Sequence, residues 1–301
     1  MCKTVLISGG SGMIGDRLSA VLTQKGYVVN WLTRNPGRES KYRSYGWDIE
    51  RMQIDAKALT NADYIVHLAG AGIAEKRWTA KRKKIIADSR IKGAELLYQG
   101  MVQSDHKPKA FLSASGISYY GSGNATQIYT EQDAPGTDFL SAVCVKWEAA
   151  ARRVERLGIR SVQLRIPTVL SLHGGALPKM CAPFKRNLGA PLGSGKQGFP
   201  WIHLDDLVAL YIHALERELK GPYNAVAPDR VQNQSFSSAL AKAMHKAFFM
   251  PHIPAFILRL YLGEMSDLVL KSCWASPKKV MDTGFAFTYP SLELALRDIF
   301  A

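Results

Sequence analysis

Three glycines, Gly9, Gly12 and Gly15, stand three residues apart in ISGGSGMIG, between the apolar run at residues 4–8 and a helical pattern over residues 14–25. A strand that ends at such a loop and a helix that begins there create a phosphate site. The first helical N–H groups lack intrahelical acceptors, and the helix dipole puts partial positive charge at the turn. The glycines serve separate needs, which are a tight turn, backbone approach to a pyrophosphate, and close helix-to-strand packing without a Cβ. The spacing is a weak signal alone. It becomes a dinucleotide fingerprint because it follows the first strand, opens a helix and heads an alternating β/α series.

The kind of dinucleotide is decided at the end of the second strand. A carboxylate there holds the ribose hydroxyls of NAD, whereas the 2′-phosphate of NADP needs a cation and is repelled by an acid. This chain has Thr33 and Arg34, with Arg38 and Lys41 following and no acid before Glu39. The cofactor expected is NADP(H).

The elements that must position these residues alternate through the first half of the chain. TVLIS, YVVNWL, YIVHLAG, AFLSAS and SVQLRIP read as strands, a weaker one falls over residues 45–48, and helical segments separate them. That order predicts an α/β fold, a Rossmann-type doubly wound parallel sheet. After Pro167 the texture changes to a Gly- and Pro-rich stretch over residues 173–201 with no period, which reads as a long functional loop. A helix restarts near residue 204 with Asp205 as its expected N-cap. The predicted division is a nucleotide-binding domain, residues 1–168 plus 202–226, and a smaller C-terminal α/β lobe, residues 169–201 plus 227–301.

Composition narrows the class. The 301 residues and 47% apolar content allow a substantial core, and four scattered cysteines suggest neither disulfides nor a metal site. No signal-peptide pattern opens the chain, and the longest apolar stretch, residues 252–270, is broken by Pro254, Arg259, Glu264 and Asp267. A cytoplasmic protein with no membrane span is expected. The net charge of +14 is high, and six of the nine residues in KRWTAKRKK, residues 76–84, are basic. Without a recognition motif or an aromatic ladder, this reads as a solvated helix face in preference to a nucleic-acid site. Lys76 and Arg77 precede the predicted helix and stay candidates for a ligand phosphate.

GGSGMIG, LTRNP, HLAGAGI, KRWT, SRIKG, SASGISYYG, KWEAAA, PFKRNLGAPLGSGKQGFPWIHLDDL and GFAFTYPSLELAL follow one another from end to end. Together they resemble the extended short-chain dehydrogenase/reductases, and more closely their atypical branch of nucleoside-diphosphate-sugar epimerase-like proteins, some labelled cell-division inhibitors. The resemblance implies a cofactor cradle of Gly9, Ser11, Gly12, Met13, Ile14 and Gly15, with Thr33 and Arg34 at the adenosine ribose. Leu68, Ala69, Gly70, Arg90, Lys146 and Pro167 would complete it. Active members use a Ser or Thr to polarise the substrate oxygen and a Tyr-x-x-x-Lys pair to move the proton, the lysine also holding the nicotinamide ribose. Carried over, the serine falls on Ser115 and the lysine on Lys146, but the tyrosine position falls on Ala142. Tyr119 or Tyr120, close to Ser115, is then the substitute proton donor.

Lys179, Lys185, Gln197 and Trp201, from the Gly- and Pro-rich stretch, are expected to face an anionic small-molecule substrate. Two functions stay open: an NADP(H)-dependent oxidoreductase or epimerase-like enzyme on a small carbonyl or sugar-nucleotide-type compound, and a non-catalytic NADP(H)-sensing scaffold. A homodimer is compatible with either.

Overall fold

The computed structural model describes residues 2–37, 39–121, 127–271 and 273–301. In chain order the first strands are β1 (Thr4–Ser8), β2 (Val28–Thr33), β3 (Arg43–Asp48), β4 (Gln53–Ile54), β5 (Tyr64–His67), β6 (Ala110–Gly116) and β7 (Ile128–Tyr129). They are followed by β8 (Arg160–Ile166), β9 (Thr168–Leu170), β10 (Gly198–Phe199), β11 (Trp201–His203), β12 (Gly221–Asn224), β13 (Val231–Gln232) and β14 (Trp274–Ala275). The helices are α1 (Met13–Gln24), α2 (Ala80–Gln103), α3 (Phe139–Arg152), α4 (Leu177–Lys185) and α5 (Leu204–Glu216). The last five are α6 (Asn233–Ala243), α7 (Ala255–Leu262), α8 (Asp267–Leu270), α9 (Lys278–Met281) and α10 (Leu292–Phe300).

The main sheet runs β12-β8-β6-β5-β1-β2-β3-β4, and every pairing in it is parallel except β3 with β4. Because β1 is flanked by β2 on one side and β5 on the other, the strand order reverses at β1, and a crevice opens above the carboxyl ends of β1 and β5. Alternate side chains bury on opposite faces. Val5 and Ile7 join Leu18 and Leu22 of α1 and Leu207 and Tyr211 of α5, while Leu6, Ile65 and Phe111 meet Leu96, Leu97 and Met101 of α2. A sheet covered on both faces demands such near-continuous apolar strands. Each buried large side chain contributes on the order of 1.5–3 kcal/mol.

The helix starts carry their own signals. Thr79 caps α2 by accepting the Arg82 N–H, and Asp138 caps α3 by accepting the Ser141 N–H at 2.9 Å. Two expectations need correction. The stretch over residues 173–201 is not one loop, since it holds α4, β10 and the start of β11. Leu177, Cys181 and Phe184, at helical spacing, bury one face of α4, and Pro178 is tolerated because it lies in the first turn. The N-cap of α5 is His203, whose Nδ1 accepts the Asp205 N–H at 3.1 Å. Asp205 instead pairs with Arg17 of α1 at 2.7 Å.

A separate apolar cluster joins Leu177, Cys181 and Phe184 of α4 to Phe199, Trp201, Phe236 and Leu240, and to Leu292 and Leu296 of α10. Leu170, the last residue of β9, belongs to it. No helix among the described residues is long and apolar enough to cross a membrane.

Candidate functional site

The glycine loop lies at the strand reversal. Gly9 adopts φ +76°, in the left-handed region, and a Cβ there would come 2.8 Å from the Ala69 nitrogen. The loop is thus pressed against residues 68–70, and the Leu68 N–H donates to the Ser8 carbonyl at 3.0 Å. A Cβ on Gly15 would meet the Gly9 carbonyl oxygen at 2.3 Å, so this glycine sets the helix-to-loop approach. Around Gly12 a Cβ would find only the Gly9 oxygen, at 3.3 Å, and open space beyond it. Exposed Ser11 and Gly12 therefore form the open lip of the turn. No side chain caps α1, and its first i, i−4 bond runs from the Asp16 N–H to the Gly12 carbonyl, so the Met13, Ile14 and Gly15 N–H groups precede the ladder. Sequence reading missed Gly10: a Cβ there would lie 2.4 Å from Nε1 of Trp31, whose indole fills that side of the loop and donates to Ser19 Oγ at 2.8 Å.

Arg34 is exposed just past the end of β2, next to half-buried Thr33, and makes no ion pair among the described residues. Arg38 lies outside the described residues. Lys41 does not join Arg34: it lines a cleft with Thr4, Val28 and Val29 at the other end of the sheet, one strand length, roughly 16 Å, away.

Beneath the crevice, Ser8 and His67 are register partners on β1 and β5, and Ser8 Oγ hydrogen-bonds His67 Nδ1 at 2.6 Å. Both are fully buried, and the imidazole lies edge-on to Trp47 and Trp147. Burial holds its pKa down at about 4, so the ring is neutral at ordinary pH. Arg90 anchors the β5–α2 loop by donating Nη1 to the Ala71 and Ile86 carbonyls, both at 3.0 Å, and its guanidinium packs beneath Gly70 and over Trp147. Burial lowers its pKa.

Ser115 is the penultimate residue of β6 and is buried. Its register partner on β8 is Arg165, whose partner on β12 is Asn224, so three strands line up three polar side chains at one level. Ser115 Oγ donates to Glu148 Oε1 at 2.7 Å, and Arg165 grips the same carboxylate through two nitrogens. Arg165 Nη1 donates to the Tyr120 hydroxyl at 2.8 Å, and that hydroxyl donates to Asn224 Oδ1 at 2.7 Å. Burial, the largest influence on Arg165, opposes its charge, but the Glu148 carboxylate outweighs it and the guanidinium stays protonated. Burial pushes the Tyr120 phenol well above its usual range.

Three expectations about chemistry are corrected by this geometry. Tyr120 does not reach into the crevice as a proton donor, because the residue is 2% exposed and both bonds of its hydroxyl are internal. Tyr119 is half-buried with its ring 3.4 Å from the Arg165 guanidinium carbon. Lys146 and Ala142 share the exposed side of α3, whereas Cys144 and Glu148 point to Ser115 and Gly116. At about 100° per residue, Lys146 stands roughly 200° around the helix from that pair. The helix position facing the end of β6 is thus occupied by Cys144, with Leu140 one turn before it, and burial raises the Cys144 thiol to about 11.

The expected substrate residues divide. Gln197 is buried, its Nε2 donating to the Leu192 and Val269 carbonyls, and Trp201 is buried with Nε1 on the Asp229 carbonyl at 3.0 Å. Both are bonded to backbone carbonyls and neither is free for a ligand. Lys179 and Lys185 are exposed on α4, and Lys179 Nζ reaches the Ala74 carbonyl at 3.0 Å. Pro167 is half-buried between β8 and β9. The basic segment before and within α2 is tied inward: Arg77 donates to the Leu260 carbonyl, Lys83 pairs with Glu264, and Arg82 pairs with Glu75. Among the described residues no group of three or more His, Cys, Asp or Glu could hold a metal ion.

The model of the NAD dependent epimerase/dehydratase family matches residues 5–226, and a domain of unknown function, DUF1731, matches residues 253–299. The chain is 37% identical over 305 residues to Epimerase family protein SSP1921 of Staphylococcus saprophyticus, with 99% of each covered. The chain belongs to the NAD-dependent epimerase/dehydratase family. Within this family it is 34% identical to human Epimerase family protein SDR39U1, 99% of each being covered. The crystal structure of human SDR39U1 isoform 2 with NADPH superposes with a TM-score of 0.89 at 32% identity, over 99% of each chain. UDP-glucose 4-epimerase of Thermotoga maritima, solved with UDP-glucose, has a TM-score of 0.80 at 17% identity, 99% of this chain and 97% of that one being covered, a likeness of fold alone.

Proposed function

We propose that this chain binds NADP(H) at the β1/β5 crevice and acts as an oxidoreductase or epimerase-like enzyme on a small carbonyl or sugar-nucleotide-type compound. The observation that carries the reading is the glycine cradle at the strand reversal with Arg34, and no carboxylate, at the end of β2. The NADPH in the human relative's structure supports the choice of cofactor. The residues fit the group. Gly12 leaves open space where a Cβ would stand in the way of a pyrophosphate, the uncapped start of α1 offers N–H donors, and Arg34 is free to pair with a 2′-phosphate.

Bound NADPH supplies a hydride. The chain's own part is to bind, to orient and to shield, because the usual proton relay is replaced. Ser115 commits its proton to Glu148, and Cys144 with Leu140 occupies the helix face where the relay pair belongs. Lys185, and the N–H bonds of Lys179 not used on the Ala74 carbonyl, remain available to an anionic substrate at the lobe. Calorimetry with NADPH and NADH, followed by NADPH oxidation with a panel of aldehydes, ketones and sugar nucleotides, tests the reading. Preference for NADPH with turnover on one class supports it; equal affinities for both cofactors overturn it.

One observation favours a second reading, an NADP(H)-responsive scaffold. The Ser115 and Tyr120 hydroxyls are both spent within a buried network, which leaves neither free to serve the crevice as an acid or base. Tight NADPH binding without oxidation across the whole panel would select this reading.

A further inference from the structure

At the end of the sheet remote from the glycine loop, a cleft of about 440 Å³ opens beside the starts of β2 and β3. Lys41, Arg43 and Lys57 line it together with Asn30, Asn61 and Tyr42, and no lining residue is acidic. None of the three cations makes an ion pair among the described residues. Two carboxylates adjoin the rim, and each is engaged with backbone: Asp63 accepts the Thr4 N–H at 2.8 Å, and Asp55 accepts the Lys57 N–H at 3.0 Å. Arg43 is steered by the Tyr45 ring, whose centroid lies 5.2 Å from the guanidinium carbon.

Three like charges around one hollow repel each other until an anion enters. A guanidinium fork matches two phosphate oxygens, the two ammonium groups serve as point charges, and the amides and phenol can hydrogen-bond ester or sugar oxygens. The volume lies within the roughly 300–1,000 Å³ of small-molecule sites. We propose that this cleft binds a small molecule bearing one or two phosphate groups, at a site separate from the dinucleotide cradle.

A line of contacts would report its occupancy. The Tyr42 ring lies 4.9 Å from the Trp31 ring, and Trp31 in turn fills the space beside Gly10 of the glycine loop. An anion on Tyr42 and Lys41 therefore changes the surroundings of one tryptophan that touches the cofactor loop.

The test is calorimetric titration of the full chain, at low salt, with inorganic phosphate, pyrophosphate and adenosine diphosphate, with tryptophan fluorescence in parallel. Wild type, Arg43→Ala, Lys57→Ala, Arg34→Ala and Trp31→Phe are compared, with and without NADPH. With NADPH filling the cradle, the expected result is one pyrophosphate-type ligand per chain, at least tenfold weaker in Arg43→Ala and Lys57→Ala and unchanged in Arg34→Ala. The fluorescence change should be absent in Trp31→Phe. Stronger binding of adenosine diphosphate than of pyrophosphate would identify a nucleotide ester as the source; equal binding would identify the bare phosphate group. No saturable binding to wild type, equal binding to the cleft variants, or loss only in Arg34→Ala would overturn the proposal, the last placing the anion in the cradle. The loss in Arg43→Ala and Lys57→Ala does not depend on whether NADPH itself binds.

Discussion

Arg165 holds Glu148 by two parallel bonds, Nε to Oε1 at 2.8 Å and Nη2 to Oε2 at 2.9 Å, with both side chains no more than 3% exposed. A pair so buried is stable only when complete, because either charge left alone keeps its desolvation penalty and loses its partner. Arg165→Met should destabilise the fold by about 3–5 kcal/mol. Pairing it with Glu148→Leu should recover much of that loss. Urea denaturation of the two single variants and the double variant measures the coupling, and additive losses would contradict it.

Gly12 and Gly15 should separate binding from folding. Gly15→Ala drives a methyl to 2.3 Å from the Gly9 oxygen, so the loop must move and the thermal midpoint must fall. Gly12→Ala meets one atom at 3.3 Å and should stay close to wild-type stability while losing NADPH affinity. Thermal melts beside calorimetry distinguish the two, and a Gly12→Ala variant that binds normally would move the pyrophosphate off this turn.

Arg34→Ala should weaken NADPH by about 10- to 100-fold, the worth of one or two hydrogen bonds to a charged group, and leave NADH nearly unaffected. Fluorescence titration with each cofactor reads the split. Parallel weakening of both would assign Arg34 to general electrostatics.

Lys146→Met should change neither cofactor affinity nor stability measurably, because the side chain stands on the exposed side of α3, away from Ser115. Ala142→Tyr should likewise fail to create carbonyl reductase activity. A tenfold loss of NADPH binding in Lys146→Met would return that lysine to the cradle.

His67 links stability to pH. Its folded pKa of about 4 lies below the roughly 6.5 of an unfolded histidine, so between these values the unfolded chain binds the extra proton. Stability is full above pH 6.5 and declines as pH falls toward 4, by on the order of 3 kcal/mol. His203 and His213 are also shifted down, chiefly by burial, so His67→Gln should flatten the slope without abolishing it. Denaturant midpoints across pH 4–7 provide the check; an unchanged slope in His67→Gln would exclude the imidazole as the cause.

The sheet and the glycine turn were readable from local pattern. Apolar strands, a glycine turn and an arginine at the end of β2 are short-range signals, and each describes an element that short-range chemistry determines. The β6–α3 site was not readable in the same way, because which face of α3 meets Ser115 depends on helix rotation, and a motif spacing of four fits Ala142–Lys146 as well as Leu140–Cys144. Arg165 carried a usable sign: a lone charge inside the apolar run SVQLRIP demands a buried partner, and Glu148, inside the otherwise apolar WEAAA, was the matching acid. Gln197 and Trp201 misled because their side chains bond backbone carbonyls 72 and 28 residues further along the chain, contacts that no local pattern encodes.

Asn224 joins parts of the chain that lie far apart. Its amide side chain accepts from Tyr120 and donates to the Ser276 carbonyl at 3.2 Å and the Tyr129 carbonyl at 3.4 Å, while its backbone N–H reaches Glu131. The strap β7–β14 is therefore fastened to the edge strand β12 at one buried point. In hydrogen-exchange terms, amides of that short two-stranded strap should be released together with the edge of the great sheet and not as a fraying terminus. The short segment around Ser276 thus shares the opening free energy of the sheet edge to which Asn224 fastens it.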